Sequence, residues 1–166
     1  MENQYIFRLA AQHEIPAVFA LIMRRVAWMD QVGIRQWNAT RYDVRYPPDY
    51  YEQRRQMGEL FVLEDGNRIL CVGALFHEDE RWPDPESAFY LHHLASDVDA
   101  KGTGSIFLQK AEAYTAGCGK QYLRLDSAVG NGVLEHYYTS RGYVEAGRCV
   151  DGLYAGILRQ KKLKTV

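Results

Sequence analysis

The sequence has few cysteines, almost no net charge and no long apolar run, and each shortage closes off a class of protein. Its three cysteines, Cys71, Cys118 and Cys149, are odd in number and lack metal-ligand spacing. Neither a disulfide framework nor a cysteine-built metal site is expected, and the thiols fit a reducing, cytoplasmic setting. A net charge of -1 gives no global field toward nucleic acid or an anionic membrane. Tryptophans and arginines are scattered instead of interleaved on one basic face, so no nucleic-acid partner is expected. The basic residues Arg159, Lys161, Lys162 and Lys164 read as a solvated tail. No apolar stretch approaches the ~18 residues of a membrane span, and the N-terminus lacks a signal pattern, so no membrane partner is expected. The G-x-S-x-G elbow, the H-E-x-x-H zinc motif and internal repeats are also missing.

What is present is ordinary globular chemistry. At 166 residues, 47% hydrophobic and 25% charged, the chain is expected to be one domain spanning 1–166 with its own core. Tyr5 to Leu9 reads as a strand. Ile15, Val18, Phe19, Ile22, Val26 and Met29 then form one apolar helical stripe, with Pro16 acceptable only in the first turn. Arg24 and Arg25 lie off that stripe and read as solvated. From Asp30 to Pro48 the pattern is lost, although aromatics and arginines abound. Such a segment is expected to be functional. Trp37, Arg41, Tyr42, Arg45 and Tyr46 form either a recognition wall over a substrate or, for Trp37, a plug at one end of the core. A short helix follows over Asp49 to Met57.

Phe61 to Glu64 and Ile69 to His77 form a hairpin around Asp65-Gly66-Asn67. Gly73 suggests a bulge or a close backbone approach. A charged loop, EDERWPDPES, leads to a strand over Ala88 to Ser96, a helix from Gly104 to Ala116 and a strand ending at Asp126. A helix from Gly132 to Arg141 and a hairpin around Asp151-Gly152 complete the chain. The elements describe an α/β fold: a mixed, mostly antiparallel sheet of about seven strands with helices on both faces. The strand–helix–strand unit should be parallel.

Leu91 to Tyr143 carries the chemistry. A strand, the turn Gly102-Thr103-Gly104 and a helix N-terminus make a phosphate site, through unpaired N–H groups and the helix dipole. A dinucleotide fingerprint fits in part, with Gly102, Gly104 and the downstream acid Asp126, but its third glycine position is Phe107. His92 and His93 titrate near neutrality and suit a general base. Alternating strand geometry allows at most one to face a substrate and argues against a metal on the pair, so no metal is expected.

The same stretch resembles the core of the GNAT superfamily of N-acetyltransferases. Lys101-Gly102-Thr103-Gly104 is similar to the end of its R/Q-x-x-G-x-G/A motif. The run with Asn131, Tyr138, Gly142 and Tyr143 resembles its N-x-x-A-x-x-x-Y-x-x-x-G-F signature. The resemblance implies an acetyl-CoA-dependent transferase acting on a primary amine of a small molecule or peptide, with a homodimer as one open assembly. Acetyl-CoA would lie between the strand ending near Ser96 and the strand ending at Asp126. Leu94, Ala95 and Ser96 match the backbone that holds the thioester carbonyl. Lys101 and the N–H groups of Gly102, Thr103, Gly104 and Ser105 would hold the pyrophosphate, and Asn131 the pantetheine arm. Tyr138 matches the tyrosine that protonates the leaving thiolate, a sensible task for a phenol of pKa ~10. Asp99 occupies the R/Q position, which motivates a second reading as a non-catalytic acyl-CoA sensor. A dinucleotide-dependent enzyme stands third. Beside His92 and His93, Asp126, Glu78 and water are alternative bases, and Asp126 with Trp37, Arg41 and Tyr42 are the candidate substrate contacts. His136, Tyr137 and Asp97 read as structural or solvated.

Overall fold

The computed structural model describes residues 4–164 and has a mixed α/β fold. Its strands are β1 (Ile6–Leu9), β2 (Leu60–Glu64), β3 (Ile69–Phe76), β4 (Ala88–Ser96), β5 (Tyr122–Ala128), β6 (Val144–Asp151) and β7 (Tyr154–Lys162). They form one sheet in the order β1-β2-β3-β4-β5-β7-β6. The helices are α1 (Ile15–Val32), α2 (Tyr42–Arg45), α3 (Pro48–Gln56), α4 (Thr103–Gly117) and α5 (Gly132–Ser140). β1 with β2, β2 with β3, β5 with β7 and β6 with β7 pair antiparallel, whereas β4 and β5, joined through α4, pair parallel. Among the described residues no helix is long and apolar enough to cross a membrane. The backbone divides into two compact units: one runs to Leu75 and resumes over His93–Lys110, and the other holds Phe76–His92 and the chain from Ala111 onward.

In the first unit the strand period of two sorts β2. Leu60 and Val62 face a cluster with Val18 and Ile22 of α1, Tyr51 of α3 and Val72 of β3. Phe61 faces the other way, stacked on Phe7 at 4.9 Å, and Phe7 meets Phe107 of α4 edge-on at 5.1 Å. Helices therefore cover both faces of this unit's strands. Each fully buried Leu, Ile or Phe here contributes roughly 1.5–3 kcal/mol. Pro16 sits in the first turn of α1, where its missing N–H costs nothing. Arg8 holds the helix entry by a two-pronged pair to Glu14, at 2.8 and 2.9 Å.

Three expectations need correction here. The helical pattern fades at Asp30, yet α1 continues to Val32 because nothing stops it before Gly33, which caps it in the left-handed region at φ 76. The segment that follows is also less irregular than expected, with a 3-10 turn at Trp37–Ala39 and the single-turn α2. Gly73 makes no bulge toward β2. It pairs regularly with Phe61, and the register shift falls at Leu63/Glu64.

In the second unit β4 pairs with β5 through Ala88↔Tyr122, Phe89↔Leu123 and Tyr90↔Arg124. β5 runs on to Ala128, beyond the expected end at Asp126, because β7 pairs with it along its full length. The charged loop before β4 is not simply solvated. Arg124, 1% exposed, meets Asp84 at 2.6 and 3.0 Å and lies 4.2 Å from the Trp82 ring. A buried guanidinium needs such a partner, so this pair fastens the loop to β5.

Candidate active site

β4 carries the two histidines, and the unit boundary falls between them. His93 has φ 57, a left-handed conformation that is rare for a residue with a Cβ and costs about 1 kcal/mol or more. This breaks the alternation that the sequence pattern assumes, so strand parity does not decide where either ring goes.

The His93 ring sits among Tyr42, Tyr46, Tyr50 and Tyr51, with centroids 4.6–5.7 Å away. Its Nδ1 is hydrogen-bonded to the Tyr42 hydroxyl and its Nε2 to the Tyr50 hydroxyl at 2.8 Å. Burial pushes the Tyr42 phenol well up and, with Arg54 opposing, the Tyr50 phenol up to about 12. Both stay protonated at neutral pH. Both ring nitrogens of His93 thus have a tyrosine hydroxyl as partner. Trp37 stacks on Tyr42 at 4.4 Å and packs against the unit's core cluster. Tyr42 is 5% exposed, while Arg41 and Arg45 are exposed, with Arg45 5.4 Å from the Tyr46 ring.

His92 belongs to the second unit. Its Nε2 lies 2.6 Å from Asp79 Oδ2, and its ring stacks on Phe76 at 4.3 Å. Burial works against the Asp79 carboxylate. The His92 hydrogen bond, the His92 charge and the Arg81 backbone N–H nonetheless hold it below the usual range. Asp126 is nearby but committed. Its Oδ1 accepts from the Tyr154 hydroxyl at 2.6 Å and its Oδ2 from Arg81 at 3.1 Å. Arg81 also reaches Asp151 at 2.8 Å. One ligand atom from each of Asp79, His92 and Asp126 lies within 4.8 Å of the others, a donor set able to hold a divalent cation. The positive partner in this structure is Arg81.

The loop after β4 is built around Asp97, which is 4% exposed. Its Oδ1 accepts the Asp99 N–H at 2.9 Å, and its Oδ2 meets Arg24 at 3.0 Å and Arg68 at 3.2 Å. Asp97 is therefore structural, as expected. Arg25 is not solvated, because it binds the Ser96 carbonyl from Nε at 3.1 Å and Nη2 at 2.7 Å. Arg24 remains half-exposed but has a fixed partner. The Asp99 side chain is exposed, as is Lys101. Leu94 and Ser96 are half-buried, and Ala95 packs in the core cluster.

Gly102 has φ 85, which explains a glycine there: nothing lies within 4 Å of an added Cβ, so conformation and not space is limiting. Gly104 differs, since a Cβ there would sit 4.0 Å from Ser96 in ordinary contact. Two of the first-turn N–H groups of α4 are already used, Thr103 toward Ala100 O at 3.3 Å and Ile106 toward Gly102 O at 3.4 Å. The Thr103 hydroxyl donates to Ala100 O at 2.7 Å. An anion at this turn would therefore meet a Thr103 N–H that is already engaged. Phe107 is fully buried against Phe7, filling the space a dinucleotide fingerprint keeps open with its third glycine.

On α5, Asn131 is the N-cap, its side chain accepting from Leu134 N at 3.1 Å. Tyr138 is 8% exposed and meets Tyr137 and Tyr143 edge-on at 5.1 and 5.7 Å. Burial raises its phenol, helped by Tyr137 and Asp126 and opposed by Arg141 and Arg159. It stays protonated through neutral pH. Sequence reading missed Asp79, Arg81, Arg25 and Tyr154. Each pairs with a residue 13 to 71 positions away, and no local pattern carries such a pairing.

No family model matches the sequence, and no curated protein does. Solved structures match over almost the whole chain. An acetyltransferase of the GNAT family from Listeria monocytogenes is 22% identical with a TM-score of 0.79, covering 96% of this chain and 95% of its own. One from Streptococcus agalactiae is 23% identical with a TM-score of 0.77, over 97% and 96%. The PaiA N-acetyltransferase of Thermoplasma acidophilum, solved with coenzyme A, is 15% identical with a TM-score of 0.72, over 96% and 99%. This chain has the fold of the GNAT acetyltransferases.

Proposed function

We propose that the protein is an N-acetyltransferase that moves the acetyl group of acetyl-CoA to a primary amine of a small molecule or peptide. The observation that carries this reading is the glycine turn opening α4 directly after β4, in a fold that solved GNAT acetyltransferases share end to end. The Gly104 and Ser105 N–H groups, with the helix dipole, suit the pyrophosphate, and Lys101 adds charge beside them. Asn131 fits both its cap and a contact to the pantetheine arm. Leu94 to Ser96 remain the candidate backbone for the thioester carbonyl, where a fixed donor stabilises the oxyanion.

In this reaction the amine nitrogen bonds to the carbonyl carbon and the C–S bond breaks. The thiolate then takes the Tyr138 proton. The buried, protonated phenol supports that role. The base is a histidine of β4, and the acceptor amine lost its proton to it before or during attack. A homodimer and a cytoplasmic setting fit this reading and await measurement.

A second reading is the non-catalytic acyl-CoA sensor. Its motive was Asp99, and the exposure of that side chain weakens the motive because the charge has water around it. Thiol release from acetyl-CoA across an amine panel separates the two. Release with at least one amine supports the transferase, and tight CoA binding with no release for any amine supports the sensor.

A further inference from the structure

We propose that Asp79, His92 and Asp126 form a binding site for one divalent transition-metal ion of the zinc type. The proposal stands apart from the acetyl-transfer reading.

The three side chains come from different places in one compact unit: Asp79 from the loop after β3, His92 from β4 and Asp126 from β5. One ligand atom of each lies within 4.8 Å of the others. The set takes a single histidine of β4, so strand alternation does not stand against it. The side chains are largely buried, 8% exposed for Asp79, 12% for His92 and 9% for Asp126. Exposed acids gather on surfaces without holding anything, but buried ones are costly unless a cation balances them.

Charge and orientation both point to such a cation. Three carboxylates, Asp79, Asp126 and Asp151, interact with one guanidinium, that of Arg81. Even a protonated His92 leaves this group with an excess of negative charge. Burial pushes the Cys149 thiol up, and Asp126 and Asp79 add to this against Arg81, so the negative field extends past the guanidinium. In each ligand carboxylate a neutral donor fixes Oδ1: the Arg81 backbone N–H on Asp79 at 3.0 Å and the Tyr154 hydroxyl on Asp126 at 2.6 Å. Both Oδ2 atoms are held by groups that an ion can displace, His92 Nε2 at 2.6 Å and the Arg81 guanidinium at 3.1 Å. Phe76, stacked on His92 at 4.3 Å, steadies the ring. Outer contacts of this kind orient metal ligands.

The donor set decides the class of ion. An imidazole nitrogen with two carboxylate oxygens suits zinc and its first-row neighbours, with water completing the shell. Calcium prefers about six to eight oxygens and magnesium keeps several waters, so three donors that include a nitrogen suit neither. Ligands of one tetrahedral ion stand roughly 3.3–3.5 Å apart, from bonds of about 2.0–2.1 Å. The set therefore closes at its widest span, and the 2.6 Å contact between His92 and Asp79 opens. Arg81 gives up Asp126 to the ion and keeps Asp151, its other partner at 2.8 Å. The bound ion ties the loop after β3 to β4 and β5.

Calorimetry and thermal unfolding of the tag-free protein with Zn²⁺, Mg²⁺ and Ca²⁺ test the site without turnover. The expected result is about one Zn²⁺ per chain and a higher unfolding temperature with Zn²⁺, with no comparable shift from Mg²⁺ or Ca²⁺ at the same concentration. His92→Gln, Asp79→Asn and Asp126→Asn should each weaken Zn²⁺ binding by roughly 10–100-fold or more. Arg81→Gln should tighten it, because a competing cation is gone. Absence of both Zn²⁺ binding and a thermal shift in the wild-type protein overturns the proposal, and that result needs no variant to fold. Binding undiminished in His92→Gln or Asp126→Asn puts the ion elsewhere and overturns it too. Equal stabilisation by Mg²⁺ and Ca²⁺ is general charge screening and overturns the zinc-type site. None of these results bears on acetyl transfer, which thiol release measures separately.

Discussion

Arg25 donates two hydrogen bonds to the Ser96 carbonyl, at 3.1 and 2.7 Å, and a third to its hydroxyl at 2.8 Å. Ser96 ends β4 and Asp97 begins the phosphate-friendly loop, so one side chain of α1 fixes where that loop starts. Charge-assisted bonds of this kind contribute about 1.5–3 kcal/mol. Arg25→Ala should lose stability of that order in urea unfolding. It should also weaken coenzyme A binding by calorimetry, whereas Arg25→Lys should recover little, since an ammonium cannot make the forked contact.

The two glycines of the turn should separate. Gly102→Ala forces a Cβ into φ 85 and should destabilise the protein by about 1 kcal/mol. Gly104→Ala meets only ordinary contact and gains helix propensity, so stability should hold or rise by up to ~1 kcal/mol. If phosphates approach this backbone closely, Gly104→Ala should nevertheless weaken coenzyme A binding. Thermal unfolding with and without coenzyme A measures both effects.

Tyr138→Phe keeps the edge-on packing with Tyr137 and Tyr143 but removes the proton. The expected result is a kcat lower by about 10²–10⁴-fold with coenzyme A affinity unchanged. A stability loss without a kcat change would make Tyr138 a packing residue only.

Glu14 gives a pH dependence whose sign can be worked out. The Arg8 hydrogen bond, with the Ala11 N–H and the Arg8 charge, overcomes burial and lowers this carboxyl from 4.5 to about 2. The folded value lies below the unfolded one. The pair therefore stabilises the fold fully above the ordinary glutamate range and loses that contribution as pH falls from there toward about 2. Urea unfolding at stepped pH should show this slope in the wild type and a shallower one in Glu14→Gln.

Periodicity made most of the fold legible. The stripe from Ile15 to Met29 gave α1, the Asp65-Gly66-Asn67 turn gave the β2–β3 hairpin, and the glycine turn marked α4. Each is a local pattern, so each could be read. The end of α1 carries no apolar signal, because the stripe ends at Met29 while the helix stops only at Gly33. The candidate site rests on motif spacing at Gly102, Gly104, Asn131 and Tyr138. It was not legible where it depends on pairing across the fold. The fork from Arg25 to Ser96 and the dyad of Asp79 and His92 join residues whose neighbours in sequence say nothing of one another. The left-handed His93 was hidden for another reason: a strand pattern carries no sign of a φ of 57.

The central claim is acetyl transfer from acetyl-CoA, and thiol release over a panel of primary amines tests it most directly. Run with the wild type and Tyr138→Phe, it should show amine-dependent release by the wild type and about 10²–10⁴-fold less by the variant. Coenzyme A bound with equal affinity by both proteins, with no amine-dependent release from either, would contradict it.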